Sequence, residues 1–297
     1  MMGLTNNVRR QGRKSVEIAD TVQMKESVRV GSMSKVEKEF ALMVDSTDPT
    51  AILERVSRLD SLKGYSLRPA GSFRLHDVYF ETSTGSLGRK RMNLRLRKRE
   101  DSWLITTKRS PGLLQWKRNE RAELELPWSH ESLDTILAEL SANGVILPKH
   151  QHLDIADPIE TLKSIGLGIL QDRETERHTQ RVSSTQEAGD NLAELASDCV
   201  TYHFQRRNVK LYELEVEAKR SGSAKVLSDM RIELLNAFAS ELIPWKWGKL
   251  VTGKMIERLL KAGTLDHLIE NDLLNKIGIE EVEKALQSGL LRTIFRQ

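Results

Sequence analysis

The chain has 297 residues, of which 39% are hydrophobic and 30% charged, so it can bury a real core in one large domain or two modest ones. Its single cysteine excludes an internal disulfide framework and is compatible with a reducing compartment. No apolar run approaches the roughly 20 residues that span a bilayer, and no signal-peptide core is visible, so we expect a soluble, cytoplasmic protein with no membrane partner.

The net charge of +4 is unevenly distributed along the chain. Residues 1–33 hold six basic and three acidic residues, which leaves the remainder close to neutral. Residues 1–34 have no sustained apolar periodicity, so we predict a disordered or loosely helical basic tail. Its basic cluster at residues 9–14 could contact an anionic surface or act as a targeting signal, but a solvated terminus is the simpler interpretation. For the rest of the chain we expect no specific nucleic-acid partner.

The first predicted β-strand is Lys35–Val44, where residues alternate with period two. This alternation places Lys35, Glu37, Glu39 and Ala41 on one face of the strand. Lys38 falls on the other face, together with Val36, Phe40, Leu42 and Val44.

Between this strand and residue 126, the pattern predicts one helix followed by four strands. Apolar residues at helical spacing over Pro49–Lys63, with Pro49 near the start, predict a covering helix. The segments that then alternate with period two are Phe73–Glu81, Met92–Arg99, Ser102–Lys108 and Glu120–Leu126. On each of these strands polar side chains share one face: Asp77, Tyr79 and Glu81; Arg95, Arg97 and Arg99; Thr106 and Lys108; and Arg121, Glu123 and Glu125.

The middle of the chain is predicted to add two covering segments and two strands. His130–Asn143 has a helical apolar stripe, and Pro148–Gly168 is irregular with a short helix. Leu170–Val182 alternates as a strand. Its polar face holds Arg173, Thr175, Arg177 and Thr179. The polar and acidic segment Ser183–Asp198 is predicted to be a loop, and Cys199–Gln205 the strand that follows it.

The most regular alternation is in Leu211–Lys219, where Glu213, Glu215, Glu217 and Lys219 fall on one face. Same-face neighbours on a strand lie roughly 7 Å apart, so adjacent carboxylates repel by about 2 kcal/mol at an effective dielectric constant of about 20. Water and salt would screen this repulsion on an exposed sheet, whereas a closed sheet would need cations. The earlier strands supply such cations, two or three on the same face of a strand. This pattern favours a closed sheet with a charged lumen over an ordinary β-sandwich.

From residue 221 onward the pattern changes to helix. Ala224–Phe238 and Thr252–Leu260 have apolar residues at helical spacing, and one or two short helices are expected after about residue 264. The tryptophan-rich stretch Pro244–Leu250 could be an aromatic platform for nucleic acid, but an anchor against the sheet is the simpler interpretation. We expect residues 221–297 to pack on the main domain or extend from it, as an end cap or as the contact surface of a homodimer.

The order of the charged strands resembles the CYTH superfamily, the triphosphate tunnel metalloenzymes, over about residues 35–220. The matching segments, in family order, are residues 36–40, 77–81, 94–97, 104–108, the strand with Arg121, Glu123 and Glu125, residues 173–177 and residues 213–217. The resemblance implies an α+β fold: an eight-stranded antiparallel β tunnel with a charged lumen, covered by helices, with the C-terminal helical segment added. It also implies that basic residues bind a triphosphate and that glutamates hold one or two divalent ions, Mg²⁺ or Mn²⁺.

The first strand departs from the family pattern, which is Glu-x-Glu-x-Lys, usually followed by Phe. If both glutamates are kept, they are Glu37 and Glu39, and Ala41 occupies the lysine position. If Phe40 is the anchor, the three positions become Lys35, Glu37 and Glu39. We favour the first frame because it keeps both carboxylates.

The resemblance also implies roles for individual residues. Arginine forks and lysine ammonium groups suit phosphate oxygens. The predicted triphosphate ligands are Arg95, Arg97, Lys108, Arg173 and Arg177. The predicted metal ligands are Glu215 and Glu217, with Glu123 and Glu125 behind them, and the predicted catalytic residues are Glu37 and Glu39. Glu213 is a weaker candidate, expected toward the tunnel rim, and His203 is the nearest candidate for an aspartate that the family usually has on the Cys199–Gln205 strand.

Three functions are compatible with this pattern. The leading one is a metal-dependent hydrolase of a small molecule with a triphosphate group, such as inorganic triphosphate or thiamine triphosphate. A class IV-type adenylate cyclase would use the same tunnel, although the sequence shows no purine pocket. The incomplete first strand leaves a third alternative, a non-catalytic protein that binds polyphosphate or a nucleotide.

Overall fold

A computed structural model describes residues 38–109, 122–148, 153–185, 191–220 and 224–288. The strands in this part of the chain are β1 (Glu39–Val44), β2 (Ser61–Leu62), β3 (Tyr65–Thr82), β4 (Met92–Arg99), β5 (Ser102–Arg109), β6 (Ala122–Pro127), β7 (Leu167–Ser184), β8 (Ala193–His203), β9 (Asn208–Ala218), β10 (Leu242–Trp245), β11 (Ile269–Glu270) and β12 (Leu273–Leu274). The α-helices are α1 (Pro49–Ser57), α2 (Ser86–Arg89), α3 (His130–Ala142), α4 (Pro158–Ser164), α5 (Ala224–Ala237), α6 (Lys249–Lys261) and α7 (Lys276–Gln287), and a 3₁₀-helix covers Asp266–Leu268.

The main strands form one antiparallel sheet in the order β10-β1-β9-β8-β7-β3-β4-β5-β6. The eight strands from β1 to β6 along this path all contribute side chains to one internal cavity. No ladder joins the two ends of the path among the described residues, so curvature of the sheet, rather than a closed ring of hydrogen bonds, brings β1 and β6 to the same cavity. The predicted α+β architecture of an eight-stranded antiparallel tunnel with helices is thus confirmed.

Apolar side chains on the outer face of the sheet are covered by helices, because alternating strands need a partner for each apolar face. One cluster joins Ile52 and Val56 of α1 and Met230 of α5 to the strands. A second cluster contains Leu133 and Ile136 of α3 and covers the β4–β5 region. Both clusters leave the other face of the sheet to the polar side chains.

A third apolar cluster fills one end of the lumen. Met43, Val200 and Leu211 continue the inward faces of β1, β8 and β9, and they belong to the same cluster as Val251 and Met255 of α6. Trp245 and Trp247 are buried in this cluster too. The prediction that the tryptophan-rich stretch is an anchor is therefore confirmed, and part of that stretch forms β10, which pairs with β1.

Several predicted boundaries were wrong. The helix from Pro49 ends at Ser57, where Arg58 caps it, and a turn at Lys63–Gly64, both with positive φ, leads back into β3. The predicted loop Ser183–Asp198 includes the first half of β8, which starts at Ala193. Its alternation was hidden because small and acidic residues, rather than large apolar ones, form its inward face.

The described residues include no helix that is both long and apolar enough to span a membrane.

Candidate functional site

The cavity enclosed by the sheet has a volume of about 330 Å³ and is lined mainly by charged side chains. Ten of the predicted site residues line it: Glu39, Arg95, Arg97, Lys108, Glu123, Glu125, Arg173, Arg177, Glu215 and Glu217. Residues Lys35, Glu37 and Arg121 lie outside the described residues. Alternation along each strand therefore identified side chains that the fold brings together.

Asp77 is a buried carboxylate shared by three arginines. Its oxygens accept hydrogen bonds from Arg97 Nε at 2.7 Å, Arg97 Nη2 at 2.9 Å and Arg173 Nη2 at 2.9 Å, and Arg95 Nε is 3.8 Å away. Burial alone would raise the pKa of Asp77, but the guanidinium groups of Arg97, Arg95 and Arg173 outweigh it and hold that pKa well below its usual range. Asp77 is thus ionised and fixes the spacing of the three cations.

Tyr79 extends this group on the same face of β3. Arg173 Nη2 donates to the Tyr79 hydroxyl at 3.0 Å, and the guanidinium lies 4.9 Å from the ring centroid. Burial would raise the pKa of Tyr79, but Arg173 and Arg95 lower it overall. Two donors in the group, Arg95 Nε and Arg173 Nε, are buried and make no hydrogen bond within the described part of the chain. Buried donors of this kind are costly unless another acceptor can reach them.

Glu123 and Glu125 of β6 pair with cations on the neighbouring strands β5 and β4. Arg95 Nη2 lies 2.9 Å from Glu125 Oε2 and 3.5 Å from Glu123 Oε1, and Lys108 Nζ lies 2.8 Å from Glu123 Oε2. Thr106 Oγ1 donates to Glu125 Oε2 at 2.9 Å. In this arrangement both carboxylates serve as counter-ions to two of the predicted triphosphate ligands.

A second buried group forms where β7, β8 and β9 meet the start of α6. We call Asp198, Glu213 and Glu215 the inner carboxylate group, because their ligand oxygens lie within 4.8 Å of one another. Lys249 Nζ lies 3.0 Å from Asp198 Oδ2 and 2.8 Å from Glu215 Oε1, and it also contacts Glu213. Arg177 Nε donates to Asp198 Oδ1 at 2.7 Å, and Arg177 Nη2 contacts Glu215.

These contacts stabilise the charged form of Arg177. Burial would lower the pKa of its guanidinium, but Asp198 and Glu215 raise that pKa well above its usual value. Arg177 therefore remains charged inside the lumen.

A third set of carboxylates lies nearer the solvent. Glu39, Glu217 and Glu194 are register neighbours on β1, β9 and β8. Lys219 Nζ lies 2.9 Å from Glu217 Oε2 and 3.2 Å from Glu194 Oε1. The side chain of Glu217 is 23% exposed, compared with 4% for Glu213. The expectation that Glu213 lies toward the rim was therefore wrong, because β9 enters the filled end of the lumen at Leu211 and is more exposed at its other end, near Glu217.

The start of α6 is held in the lumen by two hydrogen bonds to its backbone. Tyr202 donates through its hydroxyl to the Lys249 carbonyl at 3.0 Å, and Gln171 Nε2 donates to the Leu250 carbonyl at 3.1 Å. Gly253 makes this approach possible, because a Cβ there would lie 2.3 Å from Gln171 Nε2 and 2.5 Å from Tyr202 Cε1. These contacts fix the backbone from which Lys249 reaches the inner carboxylate group.

Comparison with known proteins identifies the family. The CYTH domain model matches residues 48–241, which is more than half of the chain. The chain belongs to the CYTH domain family. The resemblance seen in the charged strands is therefore confirmed.

Solved structures that are similar to this CYTH protein share little sequence with it. A proposed adenylyl cyclase from Hippeastrum, described as having a dominant triphosphatase activity, is 16% identical, with 78% of this chain and 97% of that chain covered and a TM-score of 0.46. A proposed adenylate cyclase from Bacillus halodurans is 15% identical, with 73% and 96% covered and a TM-score of 0.42. The RNA triphosphatase of S. pombe is 11% identical, with 70% and 85% covered and a TM-score of 0.33. Comparison with curated proteins finds no match.

The inner carboxylate group of this CYTH protein fits a divalent metal ion by its donor chemistry. Carboxylate oxygens are the ligands that Mg²⁺ and Mn²⁺ prefer, and three of them converge here from two adjacent strands. Of the four predicted metal ligands, Glu215 belongs to this group, whereas Glu217 lies nearer the rim and Glu123 and Glu125 lie on β6. Asp198 and Glu213 complete the group.

Sequence reasoning missed three residues of the site. Asp198 is the inward-facing aspartate of β8, whereas His203 lies on the opposite face of that strand and bonds to Asn208 at 3.0 Å. The alternation of residues 194–200 was a signal for Asp198, but it was assigned to a loop. Asp77 was placed on the correct face and given no role. Lys249 had no local signal, because its position depends on how α6 docks into the lumen.

Proposed function

We propose that this CYTH protein is a metal-dependent hydrolase of a small molecule with a triphosphate group, with inorganic triphosphate and thiamine triphosphate as the first substrates to test. The observation that carries the proposal is the set of buried arginines around Asp77, in which Arg95 Nε and Arg173 Nε lack hydrogen-bond acceptors within the described residues. Phosphate oxygens are good acceptors for guanidinium groups, and a chain of three phosphates presents many of them close together.

Charge balance supports a role for a metal ion. The side chains that line the cavity include seven cations: Arg95, Arg97, Lys108, Arg173, Arg177, Lys219 and Lys249. They also include seven carboxylates: Glu39, Asp77, Glu123, Glu125, Glu194, Glu215 and Glu217. Asp198 and Glu213 of the inner group contact Lys249 as well and bring the carboxylates to nine, so the lumen has no excess of cations. A polyanion entering it adds several negative charges at low dielectric constant, so its binding is favourable only if cations enter with it.

In the proposed mechanism the side chains of the tunnel act by position and charge. Arg97 and Arg173 give up part of their contact with Asp77 and bind phosphate oxygens. Arg95 likewise gives up part of its contact with Glu125, and Lys108 part of its contact with Glu123. Carboxylates of the inner group, together with Glu217 and Glu39, would hold the divalent ion, which when bound neutralises phosphate charge and orients an attacking water. The fixed arginines then stabilise the charge that develops on the transferred phosphoryl group.

A panel assay tests this proposal. Purified protein is incubated with inorganic triphosphate, thiamine triphosphate and ATP in Mg²⁺ or Mn²⁺, and phosphate, pyrophosphate and cyclic AMP are measured. Release of phosphate that requires the metal is the expected result. Release of pyrophosphate together with cyclic AMP from ATP would instead indicate a cyclase.

A second candidate function is favoured by one observation. Lys249 already supplies the inner carboxylate group with a cation from within the protein, as a binding protein without a catalytic metal would require. Tight binding of a triphosphate with no product in any metal would support this non-catalytic function.

A further inference from the structure

Lys249 holds a position in the site that a metal ion could take. Its ammonium group is in direct contact with Asp198, Glu213 and Glu215, and its side chain is 9% exposed. The inner carboxylate group thus binds a cation in this structure, and the cation belongs to the chain itself. We propose that Lys249 is a built-in counter-ion that competes with a divalent metal ion for the inner carboxylate group.

Charge explains why the two cations compete. The three carboxylates face two positive charges, those of Lys249 and Arg177. A divalent ion in place of the ammonium would give three positive charges against three negative ones. A divalent ion added while the ammonium remains would leave an excess positive charge in a buried space, which is unfavourable at low dielectric constant.

The structure also determines how the exchange would occur. The backbone of Lys249 is held by Tyr202, and the next residue is held by Gln171, so α6 cannot withdraw without losing both hydrogen bonds. The lysine side chain has four rotatable carbon–carbon bonds, and it can leave the carboxylates by torsion alone. Ala41, the register neighbour of Glu215 on β1, supplies no charge there, so Lys249 provides a lysine ammonium where the first strand lacks one.

The test measures binding of Mn²⁺ alone by titration calorimetry, using the full chain without any triphosphate. Lys249→Met removes the charge and keeps most of the side-chain volume. We expect this variant to bind Mn²⁺ roughly tenfold or more tightly than the wild type, because the ion no longer has to displace an ammonium group from the carboxylates. Lys254→Met is the matched control on the same helix, since Lys254 pairs with Glu257 at 2.8 Å, and it should bind Mn²⁺ as the wild type does.

A second substitution tests that the gain arises at this group. Asp198→Asn added to Lys249→Met should remove the gain in affinity. Equal or weaker Mn²⁺ binding by a folded Lys249→Met variant would overturn the proposal. If Lys249→Met does not fold, Lys249→Gln removes the same charge and keeps a polar side chain that can donate to the carboxylates, and no gain over the wild type there would overturn the proposal as well.

This inference rests on the proposed function only in assuming that the tunnel binds a divalent ion. The two can fail separately. Metal-dependent hydrolysis by the wild type, with no gain of Mn²⁺ affinity in the variants, would refute the competition alone. A gain of affinity in a protein that hydrolyses no triphosphate would refute the hydrolase alone.

Discussion

Asp77 is the residue on which the cation group of the tunnel depends. Asp77→Asn would leave three buried guanidinium groups without their shared counter-charge, and we expect it to lower the free energy of unfolding by about 3–5 kcal/mol. Because the pKa of Asp77 is held well below its usual 3.8, its contribution is fully present at neutral pH and is lost as the pH falls from about 3.8 through the lowered pKa. Urea denaturation near neutral pH measures the change.

The matched control for Asp77 is a carboxylate outside the tunnel. Glu176 pairs with Arg74 at 2.8 Å and is 55% exposed, so Glu176→Gln should cost less than about 1 kcal/mol. If both variants lost the same free energy of unfolding, Asp77 would contribute no more to stability than the carboxylate of a surface ion pair.

Arg97 tests ligand binding rather than stability. We expect Arg97→Ala to weaken binding of a slowly hydrolysed triphosphate analogue, in the presence of Mg²⁺, by about 1.5–3 kcal/mol, the usual scale for hydrogen bonds to charged groups. Arg74→Ala removes an arginine from the other face of the same sheet and should leave the affinity unchanged. Calorimetry distinguishes them, and similar losses in both variants would indicate nonspecific attraction.

At the scale of the elements, α6 determines the shape of the closed end of the tunnel. Gly253→Ala would place a methyl group against Gln171 and Tyr202, and we expect a loss of about 1–3 kcal/mol in the free energy of unfolding through overpacking. Gly168→Ala is the control, because its nearest neighbour would be the Glu81 carbonyl oxygen at 3.9 Å. Thermal and urea denaturation of both variants test this. A Gly253→Ala variant as stable as Gly168→Ala would show that α6 is not tightly seated.

The helices and strands also show which features of the structure are determined by the local sequence. Met92–Arg99 is β4 as predicted, and the helix from His130 ends within one residue of its predicted end, because each has a clear period of its own. The same period placed Arg95, Arg173 and Glu215 on the lumen face. The partner of Glu215, Lys249, could not be predicted, because no pattern within α6 indicates what its first residue contacts.

At the scale of the whole molecule, the tunnel combines two opposing charge groups in one cavity. The group around Asp77 has an excess of cations, whereas the inner group has an excess of carboxylates that Lys249 and Arg177 reduce. An anion and a divalent cation bound together would match this division better than either alone. The α6 end is filled by apolar packing, so the charged cavity ends there.

Metal-dependent release of phosphate from inorganic and thiamine triphosphate, compared between the wild type and Glu215→Gln with Glu217→Gln, tests this account most directly. We expect the wild type to release phosphate only with Mg²⁺ or Mn²⁺ and the double variant, with an unchanged circular dichroism spectrum, to release none, because carboxylates that would hold the ion are gone. Activity that persists in the double variant at saturating Mg²⁺, or a folded wild type that hydrolyses neither triphosphate in either metal, would contradict it.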